Sequence, residues 1–230
     1  MSLSSTSSFE VGSIIPSWKS SVQTFLAYNY YTFGHFPDLN DIALEGLIHK
    51  AMKTQRSDAD WVKGAHLPWD LSLTNSETQQ PYRIQVKGTL VSGKTMHLSS
   101  FRLGVHSGSV DSLKEGILKL IRSNDVWYVV AREMEDQRSM RVSFFECNQN
   151  SFLYDESMYN FKEVITGKRI FYQNKTTSKV VFTKVIPSTS HQLWYMVNYE
   201  QFKTSMQGVR LVDSSVFRVE DFPTTITLLN

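Results

Sequence analysis

The sequence predicts an α/β protein whose core runs helix, three strands, helix, strand, followed by a β-rich C-terminal elaboration. Three observations lead there. Two segments, Trp69 to Leu73 and Tyr82 to Leu90, alternate apolar and polar residues and are separated by turn-type residues (Thr74, Asn75, Ser76, then Pro81), the pattern of adjacent antiparallel strands. A helical period precedes them in LNDIALEGLIHKAMK and another follows in VHSGSVDSLKEGILKLIRSND. VWYVVAR, residues 126–132, is the unbroken apolar run of a strand buried on both faces.

The elements follow in order. Residues 1–15 are Ser-rich and read as a loose arm. Pro16 and Ser17 open a helix through Trp18, Val22, Phe25 and Leu26, and the aromatic YNYYTFGHF after it is assigned to packing and ends at Gly34. In the next helix Leu39, Ile42, Ala43, Leu47 and Ala51 form a broad apolar stripe, with Asp38, Asn40 or Asp41 as the N-cap. Residues 54–66 are polar and loop-like, with Asp58 and Asp60 as reserve carboxylates. After the two strands, SGK (92–94) makes a turn and TMHLSSFRL a third strand. Ser112 with Glu115 is a capping-box candidate for the following helix, which ends at Asn124-Asp125. Beyond the core, VSFFECN reads as a strand, FLYDESMYNFKEVITG as a helix stopped by Gly167, KRIFYQNKTTSKVVFTKVIP as a hairpin with a basic tip, and the tail ends in a short β-prone run. The chain is read as one domain over 1–230: an arm and helix over 1–37, a core over 38–132, and an elaboration over 133–230.

Strand alternation sorts the two central segments into faces. Ile84, Val86 and Leu90 point one way with Leu71 and Leu73; Asp70, Ser72, Arg83, Gln85, Lys87 and Thr89 point the other. A loop closing at Leu73 and Tyr82 sets Asp70 opposite Gln85, so an acid, an amide and a lysine share one polar patch. Those residue types suit phosphodiester hydrolysis. A carboxylate can hold Mg²⁺, which prefers oxygen ligands and keeps several waters. The ion polarises a phosphoryl oxygen and acidifies a bound water. A lysine two residues along the same face orients the attacking water or offsets charge on the phosphate. Glu45 stands in mid-helix between Leu44 and Gly46. It either pairs with His49 at i+4 on the surface or faces the Asp70 patch.

Pro68-Trp69-Asp70 followed by Gln85-Val86-Lys87 resembles the PD-(D/E)xK motif of restriction-endonuclease-like nucleases, in its QxK form. Gln85 stands where Asp or Glu is commoner and removes one negative charge. The resemblance covers residues 38–132 and implies the restriction-endonuclease-like core, αβββαβ with a mixed central sheet flanked by helices. It implies that Asp70 binds the metal with Gln85 and the Val86 carbonyl, that Lys87 positions the water, and that Glu45, from the helix before the first core strand, adds a carboxylate. The cofactor implied is Mg²⁺, with Mn²⁺ as a substitute. The activity implied is sequence-specific cleavage of double-stranded DNA, as by a Type II restriction enzyme. The alternatives are a structure- or damage-specific repair or recombination nuclease of the same fold, and a catalytically inactive nucleic-acid-binding module.

Charge distribution fits a nucleic-acid partner better than the net charge of +2. Val164 to Tyr199 contains no acid but Lys168, Arg169, Lys175, Lys179 and Lys184, and Thr78 to Val110 contains no acid but Arg83, Lys87, Lys94 and Arg102. DNA-contacting candidates are Lys94, His97, Ser99, Ser100 and Arg102 beyond the catalytic strand, and Asn174, Lys175 and Lys179 in the hairpin. A palindromic site requires a two-fold dimer, so a homodimer is expected, with Trp194 to Phe202 as an interface candidate. The single cysteine, Cys147, rules out an internal disulfide and a Cys-rich zinc site and fits a reducing cytosol; the resemblance to restriction enzymes implies a prokaryotic one. No apolar run approaches the roughly 20 residues of a membrane span, and the absence of GxxxxGK[ST] leaves no ATP-driven motor in this chain.

Overall fold

The structure, a computed structural model, describes residues 9–62, 68–75, 78–102, 110–166, 169–174, 181–186 and 192–223; at 99–102, 166, 169–173, 181–184, 186 and 192 the description is of the backbone alone. It is an α/β fold in which helices flank an open, mixed sheet. The helices are α1 (Ile15–Phe33), α2 (Asp41–Lys53), α3 (Val110–Arg122) and the short α4 (Tyr199–Thr204). The strands are β1 (Asp60–Trp61), β2 (Leu71–Thr74), β3 (Pro81–Ser92), β4 (Thr95–Arg102), β5 (Val126–Met134), β6 (Ser139–Cys147), β7 (Lys162–Thr166), β8 (Arg169–Asn174), β9 (Val181–Ile186), β10 (Gln192–Asn198) and β11 (Val209–Arg218). The main path runs β11-β6-β5-β3-β4-β10-β9-β8-β7, with β2 attached to β3 and β1 to β2.

Local chemistry sets the boundaries. Gly34 ends α1 in a left-handed conformation at φ 76°, its N–H donating to the Tyr30 carbonyl at 2.8 Å. Asn40 is the N-cap of α2, its side chain accepting from the Ala43 N–H at 2.9 Å. α3 is already helical at Val110, so Ser112 lies inside its first turn and the expected capping box does not form. β3 and β5 run parallel, Lys87 beside Val129, because α3 provides the crossover that parallel neighbours need.

The sheet separates two cores. On one face Trp18, Leu26, Leu44, Ile48, Leu71, Ile84, Val86, Tyr128 and Val130 pack under α1 and α2. On the other, Leu98, Leu113, Ile117, Trp127, Val129, Phe145, Tyr195 and Phe202 pack under α3 and α4. β5 contributes alternate residues to both, which is why its run has no polar interruption.

Two expectations fail in the C-terminal half, and one strand there is unforeseen. Phe152–Tyr159 forms two single 3₁₀ turns rather than a helix, and β7 follows. Asp155 breaks it: its backbone is extended (φ −75°, ψ 111°) and its side chain takes the Ser157 N–H. Trp194 to Phe202 is not a free aromatic face, since Tyr195, Val197, Tyr199 and Phe202 are buried in the second core. Val209–Arg218, which carries no clear alternation, pairs as β11 along the whole of β6. The hairpin over 169–186 forms as expected, while its tip lies outside the described residues, as do Gly167 and 224–230. Among the described residues no helix is long and apolar enough to cross a membrane.

Candidate functional site

The site arises where β3 loses its neighbours on one edge. β5 pairs with β3 from Ile84 to Leu90. On the opposite edge β2 covers only Pro81 to Ile84, and β4 joins only at Val91 and Ser92. Among the described residues no strand covers the edge between them, and its backbone donors need partners. Two carboxylates supply them. Asp70, one residue before β2, accepts the Val86 N–H on Oδ2 at 2.7 Å. Asp41, the first residue of α2, accepts the Gly88 N–H on Oδ1 at 2.7 Å. Donors two residues apart on one strand lie about 7 Å apart, so the two acids stand side by side along the gap. A residue's N–H and C=O face the same edge of a strand, so the Val86 carbonyl faces the gap as well.

The expected register holds: Leu71 pairs with Ile84 and Leu73 with Tyr82. Gln85 reaches across and donates its amide to Asp70 Oδ2. It therefore holds the acid in place rather than standing as an independent oxygen donor. The Asp70 backbone is fixed too, its N–H donating to the Ile84 carbonyl at 2.9 Å and its carbonyl accepting from Val62 at 3.0 Å.

Lys87 is buried, 8% exposed, and its Nζ lies 3.4 Å from Asp41 Oδ2. Burial pushes the Asp70 carboxyl above the usual carboxylate range, and the Lys87 charge and the Val86 N–H oppose that rise. Glu45 stands one helical turn after Asp41 and accepts from Trp61 Nε1 at 3.0 Å. Its carboxyl is raised by burial first and by the negative charge of Asp70 second, against the Trp61 hydrogen bond and the Lys87 charge. Glu45 thus stands where the Asp70 charge acts on it, while His49, its surface alternative, turns its Nε2 to the Ala59 carbonyl at 3.2 Å. The open edge of β3 gathers Asp41, Asp70, Gln85 and Lys87 through hydrogen bonds and an ion pair, with Glu45 beside them.

Among the described residues no three His, Cys, Asp or Glu side chains stand close enough together to hold a metal ion. The oxygens on this edge that could serve a divalent cation are those of Asp70, Glu45 and the Val86 carbonyl; Mg²⁺ is the ion that takes few protein oxygens and keeps several waters. Burial raises both carboxyls, with Asp41 adding to the rise at Asp70 and Asp70 to the rise at Glu45, and a cation would relieve both.

Asp41, Gly88 and Trp61 were not identified as site residues from the sequence. Asp41 reads there as one of three cap candidates, and only the placement of α2 over β3 reveals its second role. Gly88 carries a local signal, a glycine inside a strand, which marks close backbone approach. A Cβ at Gly88 would meet Leu44 Cδ1 at 2.6 Å, the Leu39 carbonyl at 3.1 Å and Asp41 Oδ1 at 3.2 Å. Leu90, expected in the core, is 50% exposed. Gly88 already lies beneath the first residues of α2, so Leu90, two positions on, projects past the helix start.

The other candidates divide. Lys94 and His97 are exposed at the β3–β4 turn and on β4. Asn174 is buried, 1% exposed, and donates to the Ser157 carbonyl at 2.5 Å, so it packs rather than contacts DNA. The side chains of Ser99, Ser100 and Arg102, and the whole of Lys175 and Lys179, lie outside the described residues. Asp58 is committed to Arg56 and the Thr74 N–H, away from the site.

These features define an α/β protein with a carboxylate–lysine cluster at a split in its sheet. No family model, curated protein or solved structure compared with the chain matches it.

Proposed function

We propose that this chain is a Mg²⁺-dependent endonuclease of double-stranded DNA, built on the restriction-endonuclease-like core with a QxK form of the PD-(D/E)xK site, and cutting at a specific sequence as a Type II restriction enzyme does. The observation that carries the reading is the placement of Asp70 on the open edge of β3, fastened by Val86 and Gln85 and within electrostatic reach of Lys87 and Glu45. Phosphodiester hydrolysis calls for an acid and an amine that serve one phosphate, and the charge of Lys87 acting on Asp70 supports that pairing.

In this reading Asp70, Glu45 and the Val86 carbonyl hold the cation, which when bound polarises a phosphoryl oxygen and acidifies water. Gln85 keeps the Asp70 carboxylate aimed into the gap. Lys87 orients the attacking water and offsets charge that develops on the phosphate. Asp41 holds the Lys87 ammonium between turnovers at 3.4 Å, a separation long enough for a phosphate oxygen to compete. Recognition of a palindrome calls for two copies, so the active species is a homodimer in a prokaryotic cytosol, working without ATP.

The test is incubation of the purified protein with plasmid DNA of mixed sequence and Mg²⁺, followed by sequencing of the ends. Discrete fragments sharing one motif at every end are expected, and Asp70→Asn should abolish them. Cutting restricted to branched or nicked DNA would transfer the assignment to a structure-specific nuclease. DNA binding without cleavage under Mg²⁺ or Mn²⁺ would leave an inactive binding module.

A further inference from the structure

A cleft at the C-terminal end of α3 carries cations that the chemistry above does not use. Arg83, Glu115, Leu118, Lys119, Arg122 and Ser123 line it. Arg83 shares its side of β3 with Gln85 and Lys87, two and four positions on. Its guanidinium carbon lies 4.5 Å from the centroid of the Trp69 ring, and Trp69 immediately precedes Asp70. The stack fixes the plane of the guanidinium. Its Nε is buried and, among the described residues, has no hydrogen-bond partner.

The surroundings make this a fixed part of the catalytic wall. Arg83 N–H donates to Asp125 Oδ2 at 2.8 Å, and the Asp125 N–H returns to the Arg83 carbonyl at 2.9 Å. Asn124 Nδ2 donates to the Pro68 carbonyl at 2.8 Å. The corner between α3 and β5 is therefore tied both to Arg83 and to the segment that presents Asp70. Lys119 and Arg122 stand one turn apart in the last turns of α3. Arg122 pairs with Glu156, but both side chains are more than half exposed (55% and 57%), so solvent screens the pair and an anion can exchange into it. Among the described residues Glu115 is the one acid lining the cleft.

We infer that this cleft is the track along which the phosphodiester backbone of duplex DNA reaches the Asp70–Lys87 gap, with Arg83, Lys119 and Arg122 as its phosphate contacts. The inference rests on the nuclease reading for its substrate. A planar guanidinium held on an aromatic ring presents paired donors that match two phosphate oxygens. Two further cations spaced along a helix face extend the contact to neighbouring phosphates.

Binding of a fluorescein-labelled linear duplex of mixed sequence, read by anisotropy without divalent metal over a range of NaCl, tests the track. Cleavage with Mg²⁺ is measured separately. Each of Arg83→Ala, Lys119→Ala and Arg122→Ala should lower the magnitude of the slope of log K against log salt by about 0.9, which is about an eightfold loss of affinity at 0.1 M salt. Arg83→Lys should restore the slope, and Lys203→Ala, outside the cleft, should change nothing. Arg83→Ala also removes a packing contact, so exposed Lys119 is the decisive variant if thermal melting shows that Arg83→Ala is misfolded. Unchanged slopes in the cleft variants, or no duplex binding by the wild type, overturn the track. Binding that depends on the three cations without any cleavage leaves the track standing and refutes the nuclease reading.

Discussion

Gly88→Ala is the sharpest structural perturbation of the site, because it adds one methyl group and removes no interacting group. The new carbon would sit 2.6 Å from Leu44 Cδ1, 3.1 Å from the Leu39 carbonyl and 3.2 Å from Asp41 Oδ1. Leu44 is fully buried and cannot rotate into free space, and the Leu39 carbonyl is backbone. Relief requires α2 to move away from β3. Overpacking of this kind costs about 1–3 kcal/mol, and at about 3 °C per kcal/mol for a chain of this size the midpoint should fall by roughly 3–9 °C. The same movement carries Asp41 from the Gly88 N–H and Lys87, and Glu45 from Asp70, so cleavage should fall with stability. Gly116→Ala is the control. Nothing lies within 4 Å of its added carbon in the middle of α3, and it should gain about 0.5–1 kcal/mol from helix propensity. Urea unfolding of both variants decides the matter. A Gly88→Ala protein within about 0.5 kcal/mol of wild type, the range of an indifferent substitution, would refute the close approach of α2 to the open edge.

Two further outcomes follow from groups remote from the cleft. The Arg56 guanidinium, donating to both Asp58 oxygens at 2.8 Å, holds the Asp58 carboxyl down to about 2. An unfolded aspartate titrates near 3.9, so the stability from this pair is fully present above that pH and is lost as pH falls toward about 2. The difference in urea midpoint between wild type and Asp58→Asn should accordingly be constant above about pH 5 and shrink between about pH 4 and 2; a difference independent of pH would contradict the clasp. Burial and the neighbouring Glu146 charge push the Cys147 thiol upward, so a thiol reagent should find no group in the native protein and one per chain after denaturation. Rapid native labelling would show that the β5–β6 layer is open.

Much of the site was legible because strand pairing has a period of two and loop closure at Leu73 and Tyr82 leaves one register. That was enough to set Asp70 against Gln85 and to put Lys87 on the same side. The mid-helix position of Glu45, an acid beside a buried stripe, was readable from the helical period instead. Asp41 was not, because its partner is the backbone of a strand 47 residues away, and no local pattern records where a helix crosses a sheet edge. Aromatic density misled between Trp194 and Phe202, since large rings signal buried area whether the burial is within one chain or between two. The helix expected over 152–167 failed through Asp155, whose side chain offers its neighbours' backbone a local alternative. β11 was missed because an edge strand half-exposed on both faces shows no clean alternation.

The central claim is that the buried Lys87 ammonium acts in cleavage beside Asp70. Single-turnover cleavage of plasmid DNA by Lys87→Ala with saturating Mg²⁺, run alongside duplex binding without metal, tests it most directly. Loss of the cleavage rate by about 10²–10⁴-fold, with duplex affinity within a few-fold of wild type, is the predicted result. A variant that cleaves at close to the wild-type rate would contradict the account, because the amine would then be only the structural partner of Asp41.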